Sequence, residues 1–260
     1  MKKTSVICAV LATAALALVS FAGCSKKNAN EFVLGLDDSF PPLGFRDADN
    51  KVVGYDIDLA AEVCRRLELT LKCQPIDWAA KEQELNTGKI DCIWNGFTMT
   101  DERREAMACT PAYLDNAQVV VVRAGSGIKS LSDMRGKVLG IQAGSSAEDA
   151  VNDAEDFKKN LKSVVEFAEN ITALNDLQIG NVDAVAMDEV VAAYNISQSG
   201  RDFIILDESL APEEYGIAFK KSNTVLRDKV WQTLLEMEAD GTVAQISEKW
   251  FGSNKSVIGR

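Results

Sequence analysis

Past its first thirty residues the chain alternates short apolar runs with stretches of helical periodicity. Residues 32–36 read as a strand, and residues 56–67 set Leu59, Ala60, Val63, Cys64 and Leu67 on one helical face. Residues 69–73 alternate as a strand does, residues 78–86 read as a helix and residues 90–94 as a buried strand. Further strands are expected at 119–122, 138–141, 164–167, 182–187 and 203–206. Two helices, 224–239 and 242–250, close the chain on either side of the breaker Gly241. Strands alternating with helices point to the α/β class, with parallel sheets flanked by helices.

One pattern occurs twice. Gly88-Lys89-Ile90-Asp91-Cys92-Ile93 is echoed by Gly180-Asn181-Val182-Asp183-Ala184-Val185. Each is a glycine turn feeding a buried strand with a polar end, Asn95-Gly96 in one case and Asp188 in the other. Two such units suggest two α/β lobes. Ligands gather beyond the carboxyl ends of strands in open parallel sheets, so both ends are expected to face one cleft. Chance similarity over six residues is the plainer alternative.

The N-terminus follows another logic. Lys2 and Lys3 precede an apolar run at 6–19 and then Phe21-Ala22-Gly23-Cys24. Residues 1–23 thus read as a secretory signal peptide, too short and wrongly flanked for a membrane span; a buried first helix is the alternative. Residues 24–30 form a polar tether.

Charge and composition narrow the function. The 260 residues carry a formal charge of −11, which becomes about −13 once Lys2 and Lys3 are removed. That sign argues against binding nucleic acid through its phosphates. There is no histidine, so the commonest general base and the commonest zinc ligand are both missing. No CxxC pair exists, and neither a metal nor a cofactor is expected. In an exported chain Cys64, Cys73, Cys92 and Cys109 could pair as disulfides or stay as buried thiols.

Several positions suit a small zwitterion. After a strand, Asn95-Gly96-Phe97-Thr98 offers close backbone approach and a hydroxyl, and Thr100-Asp101-Glu102 looks like a helix start. Arg103, one turn in, could grip a carboxylate with its planar fork; alternatively it is a solvated arginine paired with a nearby acid. Gly144-Ser145-Ser146, again between strand and helix, is a second anion contact or an ordinary N-cap. Asp188, after the apolar run 182–187, is an ammonium partner or an N-cap. Phe40, on the loop Ser39-Phe40-Pro41-Pro42, and Trp78 are each a lid for a ligand or a core plug.

Together these segments resemble a known family. With Val53-Gly54-Tyr55-Asp56-Ile57-Asp58-Leu59-Ala60, Asp240-Gly241-Thr242 and Lys249-Trp250-Phe251-Gly252, nearly all of the mature chain is similar to the solute-binding proteins of family 3. These are the polar amino acid-binding subunits of bacterial ABC transporters, of the histidine-, arginine- and glutamine-binding type. The resemblance implies a two-lobe periplasmic-binding-protein (type II) fold, with two α/β lobes joined by two crossing strands. Lobe 1 is expected at 31–114 with 209–260, and lobe 2 at 115–208. Arg103 would clamp the ligand α-carboxylate with Thr98 and the Ser146 amide. Asp188 and the Gly96 carbonyl would take the α-ammonium, and Phe40 and Trp78 would sandwich the side chain. Gly96 stands where some relatives have serine.

Relatives are usually apolar where this chain has Lys81 and Glu82. With Asp37 and Asp38 across the cleft, Glu82 could meet a cationic or strongly polar ligand side chain, or Lys81 and Glu82 simply form a surface pair. Asp37, Glu82 and Gln142 are thus the candidates for side-chain specificity. The Ala22-Gly23-Cys24 ending resembles a lipobox, which implies acylation of Cys24 and anchoring outside the cell membrane. The expected partners are a free L-amino acid and the transporter's permease subunits, with the protein a monomer. The rival reading is an enzyme on the same fold resembling cyclohexadienyl dehydratase, with Glu82 as its acid. A sensory or peptidoglycan-acting module ranks third, since no transmembrane or catalytic segment follows Arg260.

Overall fold

The computed structural model describes residues 30–260. The expected signal peptide at 1–23 and the expected acylation site Cys24 lie outside the described residues. Contacts divide the chain into Met1–Glu31 and Phe32–Arg260, and the site lies within the second unit.

The first half runs β1 (Glu31–Leu36), β2 (Ser39–Phe40), β3 (Gly44–Arg46), β4 (Val52–Val53), α1 (Tyr55–Arg66) and β5 (Thr70–Pro75). A 3-10 turn, Trp78–Ala80, leads to α2 (Lys81–Asn86), β6 (Cys92–Thr98), α3 (Asp101–Ala106) and β7 (Ala108–Cys109). After the long β8 (Leu114–Arg123) come β9 (Val138–Gln142), α4 (Ser146–Asp153), α5 (Glu155–Asn160), β10 (Ser163–Phe167) and α6 (Asn170–Ile179). Then follow β11 (Ala184–Asp188), α7 (Glu189–Ser199), β12 (Phe203–Phe219), α8 (Thr224–Ala239) and α9 (Thr242–Phe251).

The main sheet has the order β10-β9-β11-β8-β12-β6-β1-β5. Its outer thirds are parallel where they pair as β1 with β6, β9 with β10 and β9 with β11. The middle is not. Strands β8 and β12, the two crossing strands expected between the lobes, run antiparallel to each other and to their neighbours. These two strands cross between the halves, and a chain that crosses over and later returns must run opposite ways. The result is two α/β lobes joined by two strands.

The doubled motif has a physical basis. Gly88 and Gly180 both take left-handed φ, 76° and 84°, and each closes a helix. Asp91 then accepts the Val33 amide through Oδ2 at 2.7 Å, and Asp183 accepts the Val138 amide through Oδ2 at 2.8 Å. In each lobe an aspartate thus ties the start of the parallel neighbour strand. Both strands, β6 and β11, are buried along their length, as strands covered on two faces must be. The core continues on both sides of the sheet, Leu34, Trp94 and Ile217 in one cluster and Val120, Leu139 and Ala186 in another.

Candidate functional site

The carboxyl end of β6 forms the centre of the site. Asn95 Oδ1 accepts the Asp37 amide at 3.0 Å and fixes the loop that leaves β1. Gly96 takes a φ of 56°, and a Cβ there would meet Leu43 Cδ1 at 2.6 Å and Phe40 Cε1 at 2.9 Å. Only glycine lets the Phe40 ring lie so close to this backbone. Beneath it Asp56, fully buried in the first turn of α1, accepts the Gly96 amide (2.8 Å) and the Tyr113 hydroxyl (2.9 Å) on Oδ2. Burial pushes this carboxyl up to about 7, against the pull of those bonds.

Thr100 caps α3 as its sequence implies, accepting the Arg103 amide at 3.2 Å. The cap aims Arg103 inward, and the residue is only 6% exposed. Its Nη1 donates to the Thr98 carbonyl (3.0 Å) and its Nη2 to the Gly144 carbonyl of the other lobe (3.3 Å). Phe97 packs beneath the guanidinium, 4.9 Å from ring centroid to Cζ. Asp149 Oδ2 stands 3.7 Å from Nη2. This is not a solvated surface arginine.

From the second lobe, Ser146 opens α4 and its hydroxyl donates to Thr98 Oγ1 at 3.0 Å. Ser145 turns its hydroxyl back to the Gln142 carbonyl at 2.7 Å. Asp188 occupies the N-cap position of α7, yet its side chain caps nothing. Its Oδ1 instead accepts from Asn116 Nδ2 (3.0 Å) and from the Tyr215 hydroxyl. Burial first, and the charge of Glu213 second, push the Asp188 carboxyl well above the usual range.

These residues converge. Phe40, Trp78, Gly96, Thr98, Arg103, Ser146 and Asp188 all line one cavity, which holds about 290 Å³ of unfilled space, open solvent at its mouth included. Asp37 and Gln142 share it, joined by a bond from Gln142 Nε2 to Asp37 Oδ2 at 2.7 Å. Asn95 and Ser145 complete the wall; both lay inside the motifs read from sequence, flanking the residues singled out there. The bonds between Gln142 and Asp37, Ser146 and Thr98, and Arg103 and Gly144 draw the two walls together.

Two expected residues stand elsewhere. Glu82 is exposed on α2 and does not line the cavity, because the turn at Trp78–Ala80 directs Lys81 inward in its place. Lys81 Nζ, over the Trp78 ring, donates to the Trp78 carbonyl (3.3 Å) and across the cleft to the Gly144 carbonyl (2.8 Å). Its burial, and then the nearby Arg103, lower its pKa to about 8. Asp38 turns outward and pairs with Arg46 at 2.5 Å. Cys64, Cys73 and Cys109 are free thiols.

The comparisons agree with this geometry. Residues 32–253 match the model of the bacterial extracellular solute-binding proteins, family 3. The L-cystine-binding protein TcyJ of Escherichia coli (strain K12) is 28% identical over 88% of this chain and 85% of its own length. The lysine/arginine/ornithine-binding periplasmic protein of the same strain is 29% identical over 94% of this chain and 97% of its own. In three dimensions, an ABC uptake transporter substrate-binding protein from Streptococcus pneumoniae with bound histidine superposes with a TM-score of 0.85. It is 37% identical and covers 88% of this chain and 95% of its own. Among the described residues no helix is long and apolar enough to cross a membrane. With its two lobes, its crossing strands and one polar cavity between them, the chain belongs to the bacterial extracellular solute-binding proteins of family 3, and is a binding protein rather than an enzyme.

Proposed function

We propose that this protein captures a polar, basic L-amino acid outside the cell membrane by closing its lobes and delivers it to an ABC transporter permease. One observation carries the reading: Arg103 and Asp188, from opposite lobes, line the same small cavity. Arg103 takes the α-carboxylate with Thr98 and the Ser146 amide, and Asp188 and the Gly96 carbonyl take the α-ammonium. Phe40 and Trp78 flank the side chain. An ion with both charges then bridges the lobes, and each charge-assisted hydrogen bond contributes roughly 1.5–3 kcal/mol, enough to favour the closed state.

Charge favours a basic side chain. The cavity has two carboxylates, Asp37 and Asp188, to one lining cation, Arg103. A neutral zwitterion satisfies Arg103 and Asp188 and leaves Asp37 unmatched, whereas arginine, lysine or histidine supplies the further cation. Relatives that bind lysine, arginine, ornithine and histidine support this choice, and the cystine-binding relative is its rival.

The moving bodies in this reading are 31–114 with 209–260, and 115–208. Register shifts in β12 between Ile205 and Ser209, and again before Ala211, support a hinge near the second boundary. The working form is a monomer tethered through residues 24–30 and an acylated Cys24 exposed by signal cleavage at 23. Mass spectrometry of whatever leaves the denatured, never-purged protein tests the ligand, followed by calorimetry with L-arginine, L-lysine, L-histidine and L-cystine on wild type, Arg103→Met and Asp188→Asn. Undiminished affinity in either variant would overturn the assignment.

A further inference from the structure

Behind Asp188 lies a second carboxylate that the cavity does not expose. Glu213, on β12, accepts from Asn116 Nδ2 at 2.8 Å and from Gln118 Nε2 at 2.9 Å, both on Oε2. The same Asn116 nitrogen donates to Asp188 Oδ1 at 3.0 Å. One amide therefore bridges two acids, whose acceptor oxygens lie within about 6 Å of each other.

The sheet itself builds the pair. Asp188 stands opposite Gln118 in the β11–β8 ladder, and Glu213 stands opposite Asn116 in the β8–β12 ladder. Three adjacent strands thus hold the acids together without help from α3 or the loop after β1. Among the described residues no cation pairs with either acid, and the side chains that donate to the pair are Asn116, Gln118 and Tyr215. Arg103 faces it across the cavity from α3 and is engaged with Thr98, Gly144 and Asp149, while Asp37 on the loop after β1 adds a further negative charge. Tyr113, against the far side of the Tyr215 ring, gives its hydroxyl to Asp56.

We infer that Glu213 is a positioning residue which makes ligand capture proton-linked: Asp188 and Glu213 share one proton while the cleft is empty, and the arriving ammonium displaces it to solvent. The balance is simple. The empty pair carries one proton and one negative charge; the occupied pair carries none and two, against the positive charge of the ligand. Glu213 is half-buried but Asp188 is fully enclosed, and a carboxyl so enclosed does not ionise this close to a second acid until a cation arrives; the elevation of the Asp188 carboxyl by burial and by Glu213 agrees with this. The inference rests on the proposed capture of an ammonium group by Asp188.

The test separates the two ideas. In ligand-free protein, carboxyl carbon-13 shifts of Asp188 and Glu213 should titrate in two coupled steps, the upper well above the usual carboxylate range. Two independent, ordinary titrations would overturn the inference whatever the ligand. Calorimetry with L-arginine, L-lysine, L-histidine and L-cystine at about pH 6, in buffers of differing ionisation heat, should then give close to one proton released per ligand bound. Glu213→Gln should bind the same ligand while releasing less than half as much. Binding with no proton release in wild type, or equal release in both proteins, overturns the linkage and leaves the capture reading standing. Coupled titration with no binding of any of the four amino acids overturns the capture reading, and the linkage with it. Should Glu213→Gln fail to fold, the wild-type titration and proton count still decide.

Discussion

Gln142, at the end of β9 in one lobe, donates its Nε2 to Asp37 Oδ2 in the other at 2.7 Å. The Asn170 amide donates to Gln142 Oε1 and orients it, and Ser39 holds Asp37 Oδ1 through both its amide and its hydroxyl. A carboxylate so fixed, with one oxygen at the cavity wall, is built to meet a charge. Asp37→Asn is therefore expected to weaken L-arginine binding at least about tenfold, the lower end of one charge-assisted hydrogen bond, while changing L-glutamine binding far less. Calorimetry with both ligands decides, and an equal loss for the two would remove Asp37 from specificity.

Glu82 gives the matched control. It is exposed on α2, outside the cavity, and exposed charges contribute little to a site they do not line. Glu82→Gln should leave affinity for basic amino acids within about twofold. A tenfold loss would mean that α2 reorients when ligand is present.

The contrast between Asp37 and Glu82 marks how far the sequence could be read. Helix α1, β1, β9 and the last two helices lie within a few residues of their expected bounds, because each has unbroken periodicity between clear breakers. Strand β12 was expected to stop at 206 but continues to Phe219. Its polar stretch Asp207-Glu208-Ser209, followed by Pro212, reads as a loop until the long pairing with β8 is known. That same stretch carries Glu213 and leads to Tyr215, so the groups behind Asp188 were hidden with it. The lining residues Arg103, Ser146 and Asp188 were legible because each closes a local strand–turn–helix pattern. Which of Lys81 and Glu82 points inward depends on the 3-10 turn at Trp78–Ala80, a phase shift that helical periodicity alone does not reveal.

Gly96 allows a sharper test of packing. Its left-handed φ and the 2.6 and 2.9 Å approaches to Leu43 and Phe40 leave no space for a methyl group. Gly96→Ala should cost about 1–3 kcal/mol of stability, from overpacking and backbone strain together. It should also displace the Phe40 ring from the cavity wall and weaken ligand binding. Urea denaturation reads the first effect and calorimetry the second; a variant as stable as wild type would show that the loop carrying Phe40 moves freely.

Lys81 tests closure. Its ammonium gives the Gly144 carbonyl a second cross-cleft hydrogen bond beside that from Arg103. Lys81→Met keeps the aliphatic stem against Trp78 and removes the donor. Losing one such bond should speed ligand dissociation roughly three- to tenfold with little change in association, since bonds formed on closing act mainly on release. Stopped-flow kinetics would show this, and an unchanged dissociation rate would make Lys81 a packing residue only.

Asp56 links the site to pH. Its carboxyl, pushed up to about 7 by burial, keeps its proton in the folded chain over a range where the unfolded chain, with an ordinary value of 3.8, has lost it. Stability from this group is therefore fully present below the unfolded value and is lost as pH rises through about 7. Asp56→Asn cannot ionise, yet retains an oxygen for the Gly96 amide and the Tyr113 hydroxyl. The variant should gain on wild type between about pH 5 and pH 8 by on the order of 1 kcal/mol or more. Urea midpoints at the two pH values measure that gain. Parallel losses in the two proteins would mean that Asp56 is ionised throughout, its charge held by the donors around it, Gly96, Tyr113 and Trp94.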